Sequence, residues 1–189
     1  MIVARMFSPV TTLGPGKRVG LWTMGCRKAC KGCISSELAI FDPNRDIPIQ
    51  FISMQLKAMA VNNKCTGLVV SGGDPFEQSQ ELVDLLKLVR DDFEDILVFT
   101  GYTKDEILDG VQGNAGIEAL AYIDVLVDGR YVEHLNDGHD ALRGSSNQTI
   151  WFLSPEKEEA YRVYISQGRT VETFIHANHV VSVGIPGKI

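Results

Sequence analysis

Short apolar runs alternate with polar loops and helical segments along most of the chain. The runs that predict buried strands are residues 18–23, 67–70, 96–99 and 123–127. Residues 49–61 and 79–92 carry apolar side chains at helical spacing, the clearest being Leu82, Leu85, Leu86 and Val89. Thr103 and Glu106 have the spacing of a capping box, which predicts that another helix begins there.

The order strand, polar loop, helix repeats at least three times, which predicts parallel strands joined by right-handed crossovers. Residues 170–175 and 180–185 flank a His-Ala-Asn-His turn and predict an antiparallel hairpin. The expected fold is therefore α/β: an open partial (β/α) barrel of parallel strands with a C-terminal β-hairpin extension. The 189 residues, 44% of them hydrophobic, suffice for one domain spanning 1–189.

The charge balance and the absence of long apolar runs narrow the function classes. A net charge of -6 disfavours a surface built to bind nucleic acid, which draws on an excess of Lys and Arg. No apolar run approaches the ~18 residues of a membrane span, and residues 1–10 lack the order of a signal peptide. We therefore expect a cytoplasmic protein that contacts neither membrane nor nucleic acid.

Three of the four cysteines lie within eight residues, as Cys26-x3-Cys30-x2-Cys33. A cytosolic chain keeps its thiols reduced, so this cluster predicts metal ligands rather than disulfides. Three thiolates suit a four-iron, four-sulfur cluster and leave its fourth iron without a ligand from this motif. Cys65 stands apart, and we interpret it as a small buried hydrophobe.

Two other interpretations of the cysteines stay open at this stage. A structural zinc ion needs four protein ligands, and Cys65 or one of the four histidines could complete such a site. Cys30-x2-Cys33 alone has the spacing of a thioredoxin-like redox pair, which leaves Cys26 unexplained.

Polar and glycine residues follow the predicted strands, at the sheet edge where parallel α/β folds place their ligand loops. In chain order these segments are Gly72-Gly-Asp-Pro75, Thr100-Gly-Tyr-Thr103, Asp124-Val-Leu-Val-Asp-Gly129 and Leu142-Arg-Gly-Ser-Ser-Asn-Gln148. These segments, Gly14-Pro-Gly16, Arg18 and the cysteine motif occur in an order that resembles the radical S-adenosylmethionine superfamily. More narrowly, the chain resembles the activating proteins of anaerobic ribonucleotide reductase, over roughly residues 7–153.

The resemblance implies a radical S-adenosylmethionine domain with its core at about 7–153 and a C-terminal extension at 154–189. It implies a 4Fe-4S cluster on Cys26, Cys30 and Cys33 whose open iron chelates S-adenosylmethionine. One electron then cleaves the cofactor to a 5'-deoxyadenosyl radical, and the expected target is a glycine of anaerobic ribonucleotide reductase. The implied electron donor is flavodoxin or ferredoxin.

The resemblance also implies cofactor contacts after the first of these strands. Backbone groups of Gly72 and Gly73 and the carboxylate of Asp74 suit the methionine amine, although a tight turn would also explain the glycines. Thr100 is expected to face the cofactor, with helix capping as the alternative.

Four further contacts are implied after the later strands. Asp128 suits ribose hydroxyls and Arg130 a carboxylate, unless the two form a surface ion pair. Arg143 and Asn147 are expected to contact the cofactor or the partner. If these assignments hold, Cys26, Gly73, Thr100, Asp128 and Asn147 surround one cavity.

Two departures from the family pattern keep other functions in view. Ile34-Ser35-Ser36-Glu37 follows the third cysteine where the family commonly has His or Tyr and then Asn, and the tail beyond Pro155 matches no family motif. A radical enzyme acting on a small molecule, peptide or nucleobase is therefore the first alternative. The second is a non-catalytic metal or electron-carrier module, which would not explain the loops downstream of the cysteines.

Overall fold

The computed structural model describes residues 1–176 and 179–187. Its main feature is one six-stranded sheet whose strands are neighbours in chain order. They are β1 (Val3–Val10), β2 (Arg18–Thr23), β3 (Gly67–Gly72), β4 (Asp95–Phe99), β5 (Val125–Asp128) and β6 (Thr149–Phe152). Strands β2 to β5 run parallel, whereas β1 and β6 pair antiparallel at the two edges.

A separate antiparallel pair follows the main sheet. Strands β7 (Val171–His176) and β8 (His179–Gly184) form the C-terminal hairpin, with Phe174 opposite Val181. The hairpin prediction is confirmed for these strands, while its turn residues 177 and 178 lie outside the described part of the chain.

In the described part of the chain, five α-helices connect or follow the strands. They are α1 (Ile49–Asn63), α2 (Ser79–Val89), α3 (Lys104–Leu108), α4 (Gly113–Ala119) and α5 (Glu158–Ser166). The capping box that begins α3 is confirmed, because Thr103 accepts from the Glu106 amide and the Glu106 carboxylate accepts from the Thr103 amide. None of the described helices has the length and apolarity needed to cross a membrane.

Successive residues of the parallel strands pack on opposite faces of the sheet, as strand geometry requires. Leu68 and Val70 belong to the core against the helices α1, α2 and α4. Val69 belongs to a second core on the other face, which also contains Tyr161 of α5 and Val183 of β8. The hairpin and α5 therefore cover the face that the crossover helices leave free.

The strand order matches the parallel α/β prediction, and the sheet is open, with β1 and β6 at its edges. Curvature into a partial barrel stays a prediction. Strand β1 was not predicted, because its interior positions are uniformly half-buried and give no clear alternation of apolar and polar residues. Helix α5 was also missed, since it buries only Tyr161 fully.

Candidate functional site

A cavity of about 790 Å³ lies at the carboxyl ends of the parallel strands. Its lining includes all three clustered cysteines together with residues that follow three different strands. These lining residues are Cys26, Cys30, Cys33, Gly72, Gly73, Asp74, Thr100 and Gly129. Parallel strands place their following loops at one edge, which explains why distant segments of the sequence meet here.

The cysteine loop leaves β2 through Gly25, whose φ of 95° lies in the region that favours glycine. Backbone bonds from Gly25 to Leu38 (2.8 Å) and from Cys26 to Ala39 (3.0 Å) close the loop on itself. Burial raises the pKa of the Cys26 and Cys33 thiols above the ordinary value. Metal coordination would offset this effect, because a coordinating thiol loses its proton.

The donor set suits a 4Fe-4S cluster, because three thiols of one loop line the cavity and such a cluster is held by Cys thiolates. Within residues 1–176 and 179–187, no three Cys, His, Asp or Glu side chains converge on a point where one ion could bind. A zinc ion needs its ligands around one atom, whereas a 4Fe-4S cluster spreads its thiolates over different irons. Cys65 does not line the cavity and is confirmed as a buried core residue.

The glycines after β3 allow this strand's loop to pack directly on the cysteine loop. A Cβ on Gly72 would lie 2.3 Å from the Thr23 carbonyl oxygen, and one on Gly73 would lie 2.5 Å from the Gly25 carbonyl oxygen. The Asp74 amide then donates to that same Gly25 oxygen at 2.9 Å. Any larger side chain at Gly73 would therefore push the two loops of the site apart.

Asp74 lines the cavity, but its carboxylate is only 1% exposed and is held by the protein itself. It accepts hydrogen bonds from the Phe76 amide at 3.0 Å, the Thr100 hydroxyl at 2.9 Å and the Gly101 amide at 2.8 Å. Asp74 and Thr100 therefore fasten the loop after β3 to the loop after β4.

Lys28 is the main site residue that the sequence analysis missed. It lies between Cys26 and Cys30, its side chain is 5% exposed, and its ammonium lies 2.6 Å from Asp74 and 3.4 Å from Glu77. The same ammonium lies 3.2 Å from the ring centroid of Tyr102, a cation–π contact. The only signal in the sequence was a lysine inside the cysteine motif with two carboxylates after the glycine pair.

Glu77 completes this group of charges. Burial acts to raise its pKa, but hydrogen bonds from the Arg27 amide and the Tyr102 hydroxyl and the charge of Lys28 outweigh burial and lower it. Burial and the hydrogen bond to Glu77 raise the pKa of Tyr102. Glu77 is thus an anion that ties Arg27 and Lys28 of the cysteine loop to the loops after β3 and β4.

Asp128 and Asn147 do not line the cavity, which corrects the prediction that they surround it with Cys26, Gly73 and Thr100. The Asp128 carboxylate instead accepts from the Lys104 amide at 2.6 Å and from the Trp151 indole at 2.8 Å. Asp128 therefore satisfies the first amide of α3, whose N-cap is Thr103, and anchors β6 from a buried position.

Arg130, Arg143 and Asn147 also lie outside the cavity lining. Arg130 is exposed and lies 3.5 Å from Glu106. Arg143 pairs with Asp140 at 2.7 Å, and Asn147 donates to the Arg130 carbonyl at 2.8 Å. The cofactor contacts assigned to these residues and to Asp128 stay predictions.

Neighbours of those residues take their place in the lining, namely Gly129, Tyr131, Gly144 and Gln148. Gln148 joins two of the segments, because its amide donates to the Gly129 carbonyl at 2.8 Å and accepts from the Gly144 amide at 2.7 Å. Segments 124–129 and 142–148 therefore reach the cavity through Gly129, Leu142, Gly144 and Gln148.

A family profile described as a 4Fe-4S single cluster domain matches residues 12–151. The anaerobic ribonucleoside-triphosphate reductase-activating protein of Haemophilus influenzae is 36% identical over 144 residues, which cover 72% of this chain and 88% of that protein. The chain belongs to this family of activating proteins. The Escherichia coli K12 member is 34% identical over 151 residues (74% and 91% coverage), and the phage T4 member is 30% identical over 142 residues (73% and 85% coverage).

The family match contains the three clustered cysteines, strands β2 to β5 and all of β6 but its last residue, whereas β1 lies outside it. It therefore includes the cysteine, glycine and Gln148 segments of the cavity lining. The segment from Val180 to Gly187 also lines the cavity, but it lies beyond the residues that the family profile matches.

Proposed function

We propose that this protein is a radical S-adenosylmethionine activating enzyme that installs a glycyl radical on an anaerobic ribonucleotide reductase. The observation that carries the proposal is the meeting of Cys26, Cys30 and Cys33 with the glycine loop after β3 in one cavity. The membership of the chain in the activating-protein family supports the choice of partner. When bound, the reduced 4Fe-4S cluster supplies the electron that cleaves S-adenosylmethionine.

The chain's own residues have three tasks in this proposal. Cys26, Cys30 and Cys33 hold three irons and leave the fourth for the cofactor. The backbone of Gly72 and Gly73 receives the methionine end of the cofactor, because glycine allows close backbone approach. Asp74 acts through position: it is buried and joins the loops that surround the cofactor.

Three finer statements belong to the same proposal. The open sheet curves around the cofactor as a partial barrel, as the family resemblance implies. Flavodoxin or ferredoxin delivers the electron, and the protein acts in the cytoplasm.

The test is anaerobic reconstitution with iron and sulfide, followed by incubation with S-adenosylmethionine, a reductant and a cognate anaerobic reductase. We expect a glycyl radical signal in the electron paramagnetic resonance spectrum of the reductase. A reductase whose reactive glycine is replaced by alanine is the control and should give no signal. Production of 5'-deoxyadenosine without any glycyl radical would contradict the proposed partner and favour a small-molecule, peptide or nucleobase substrate.

A further inference from the structure

The C-terminal segment from Val180 to Gly187, which we call the wall, lines the same cavity as the three cysteines. Val183 of the wall is 3% exposed and belongs to the core on the cavity face of the sheet. Phe174 of β7 stacks on Phe7 of β1 with ring centroids 5.0 Å apart. The hairpin is thus packed against the sheet and forms part of the site, although it lies beyond the family match.

Glu172 of β7 fastens the hairpin to the turn after β1. Its carboxylate accepts from the amide and hydroxyl of Thr11 at 2.7 and 3.3 Å, and from those of Thr12 at 3.2 and 2.9 Å. The Thr12 hydroxyl also lies 3.1 Å from the Val183 carbonyl oxygen, on the wall itself. Hydrogen bonds to a charged acceptor are among the stronger ones in proteins, and we call this four-bond contact of Glu172 the clasp.

Arg169 fastens the other end of the wall. Its side chain is 3% exposed, and its guanidinium donates to the Pro186 carbonyl oxygen of the wall at 2.9 Å. It also donates to the carbonyls of Asp140 at 2.9 Å and Arg143 at 2.8 Å, in the segment that precedes β6. The planar guanidinium of arginine presents five N–H donors in a fixed geometry and can join several acceptors at once. Arg169 therefore fixes the wall to the segment that precedes β6.

The volume of the cavity limits what can occupy it beside the wall. A volume of about 790 Å³ lies within the range of roughly 300–1,000 Å³ found for small-molecule pockets. Such a space accommodates a cofactor and a slender chain segment but not a folded domain.

We propose that the wall is a size-selective barrier, held by Glu172 and Arg169, that admits to the cysteines only small molecules and one extended polypeptide segment. The identity of that segment as a loop of the partner reductase rests on the proposed function, whereas the barrier itself does not. Both anchoring residues are positioning residues that act through the wall.

The test uses the full-length protein without its cluster, so it is independent of radical chemistry. The reduced protein is treated with either iodoacetamide or a bulky reagent, a maleimide coupled through a short linker to a folded protein, and mass mapping gives the modification rate at each cysteine. We expect Cys26, Cys30 and Cys33 to react with the small reagent and to be protected from the bulky one. In Glu172→Ala, modification of these three thiols by the bulky reagent should accelerate about tenfold, from the loss of the clasp's charged hydrogen bonds.

Cys65 and one matched variant serve as controls. Buried Cys65 reports global unfolding, so its rate should not change in Glu172→Ala. Glu158→Ala removes a carboxylate from α5 that pairs with Arg162 and should leave all rates unchanged. Equal protection from the bulky reagent in wild type and Glu172→Ala would overturn the proposal, as would rapid bulky modification of the wild type.

If Glu172→Ala also exposes Cys65, that variant is partly unfolded and a second variant is needed to test the barrier. Thr12→Val keeps the shape of a buried side chain and removes the hydroxyl that approaches Glu172 and Val183. A severalfold acceleration at the three cavity cysteines alone would support the barrier, and no acceleration would overturn it. If the labelling results support the barrier but no glycyl radical forms on the reductase, only the proposed partner is contradicted.

Discussion

The ammonium of Lys28 lies 2.6 Å from the carboxylate of Asp74 and links the cysteine loop to the loop after β3. The exposures of the two side chains are 5% and 1%, so water screens the pair little. Asp74 is bonded in turn to Thr100 and Gly101 after β4. One buried charge pair therefore sets the relative position of three loops that line the cavity.

Replacing Lys28 by methionine tests this arrangement in the protein without its cluster. We expect the free energy of unfolding to fall by about 2–3 kcal/mol, because Asp74 and Glu77 lose a buried cation but keep other donors. Urea denaturation measures the change. Lys31→Met alters an exposed lysine of the same loop that pairs with Glu133, and it should have no measurable effect. Equal stability of the Lys28 and Lys31 variants would rule out a structural role for the pair.

Gly73→Ala should separate the cysteine loop from the loop after β3. The added Cβ would lie 2.5 Å from the Gly25 carbonyl oxygen and 2.7 Å from the Leu38 carbonyl oxygen, and backbone cannot yield as a side chain can. We expect a loss of about 3 kcal/mol in unfolding free energy, as for severe overpacking, and less iron bound after reconstitution.

The matched control for this substitution is Gly187→Ala. Apart from its chain neighbours, no atom of the described residues lies within 4 Å of a Cβ at Gly187, so stability and iron content should match the wild type. If Gly73→Ala also retained full iron content and stability, the close approach of the two loops would not be needed to form the site.

Asp124, at the start of β5, provides a prediction for pH. Burial acts to raise its pKa, but hydrogen bonds from Ser154, Arg90 and the Ile96 amide outweigh burial and hold the pKa below the ordinary 3.8. The unfolded chain therefore takes up the proton first as pH falls. The stabilisation from Asp124 is complete above the unfolded pKa and is lost as pH falls through the folded pKa.

Urea denaturation of the wild type and Asp124→Asn over a range of pH checks this expectation. The difference in stability should be largest near neutral pH and should narrow below about pH 4. Asp91→Asn, at an exposed position on the turn before β4, should follow the wild type at every pH. A difference that stays constant through the acid range would contradict the assignment.

The sequence predicted the parts of the fold that follow from local patterns. The apolar face of α2 and the capping box of α3 are written in neighbouring residues, and the parallel strands follow from their alternation with helices. The sequence did not predict strand β1, because β1 forms through its pairing with β2 and has no clear strand pattern of its own.

The sequence predicts those parts of the site that lie directly after parallel strands. Cys26, Gly73 and Thr100 meet as expected, because each follows a parallel strand. Asp128 also follows a strand, yet its carboxylate turns to the α3 amide and Trp151. The position of Asp128 in the sequence predicts at which edge of the sheet it lies, but it does not predict the direction of its side chain.

The contributions of Lys28 and of the wall could not be read from the sequence, since both depend on tertiary contacts. Lys28 meets carboxylates 46 and 49 positions away, at Asp74 and Glu77. Glu172 reaches threonines 160 and 161 positions away. No local pattern reports contacts over such separations.

The most direct test of the central claim is production of 5'-deoxyadenosine by the reconstituted, dithionite-reduced protein supplied with S-adenosylmethionine. The account predicts that the wild type and Cys65→Ala form the product, whereas Cys30→Ala binds less iron and forms none. Chromatography of the reaction mixture measures it. Absence of product from iron-loaded wild type, or full production by Cys30→Ala, would contradict a cluster on Cys26, Cys30 and Cys33 that cleaves the cofactor.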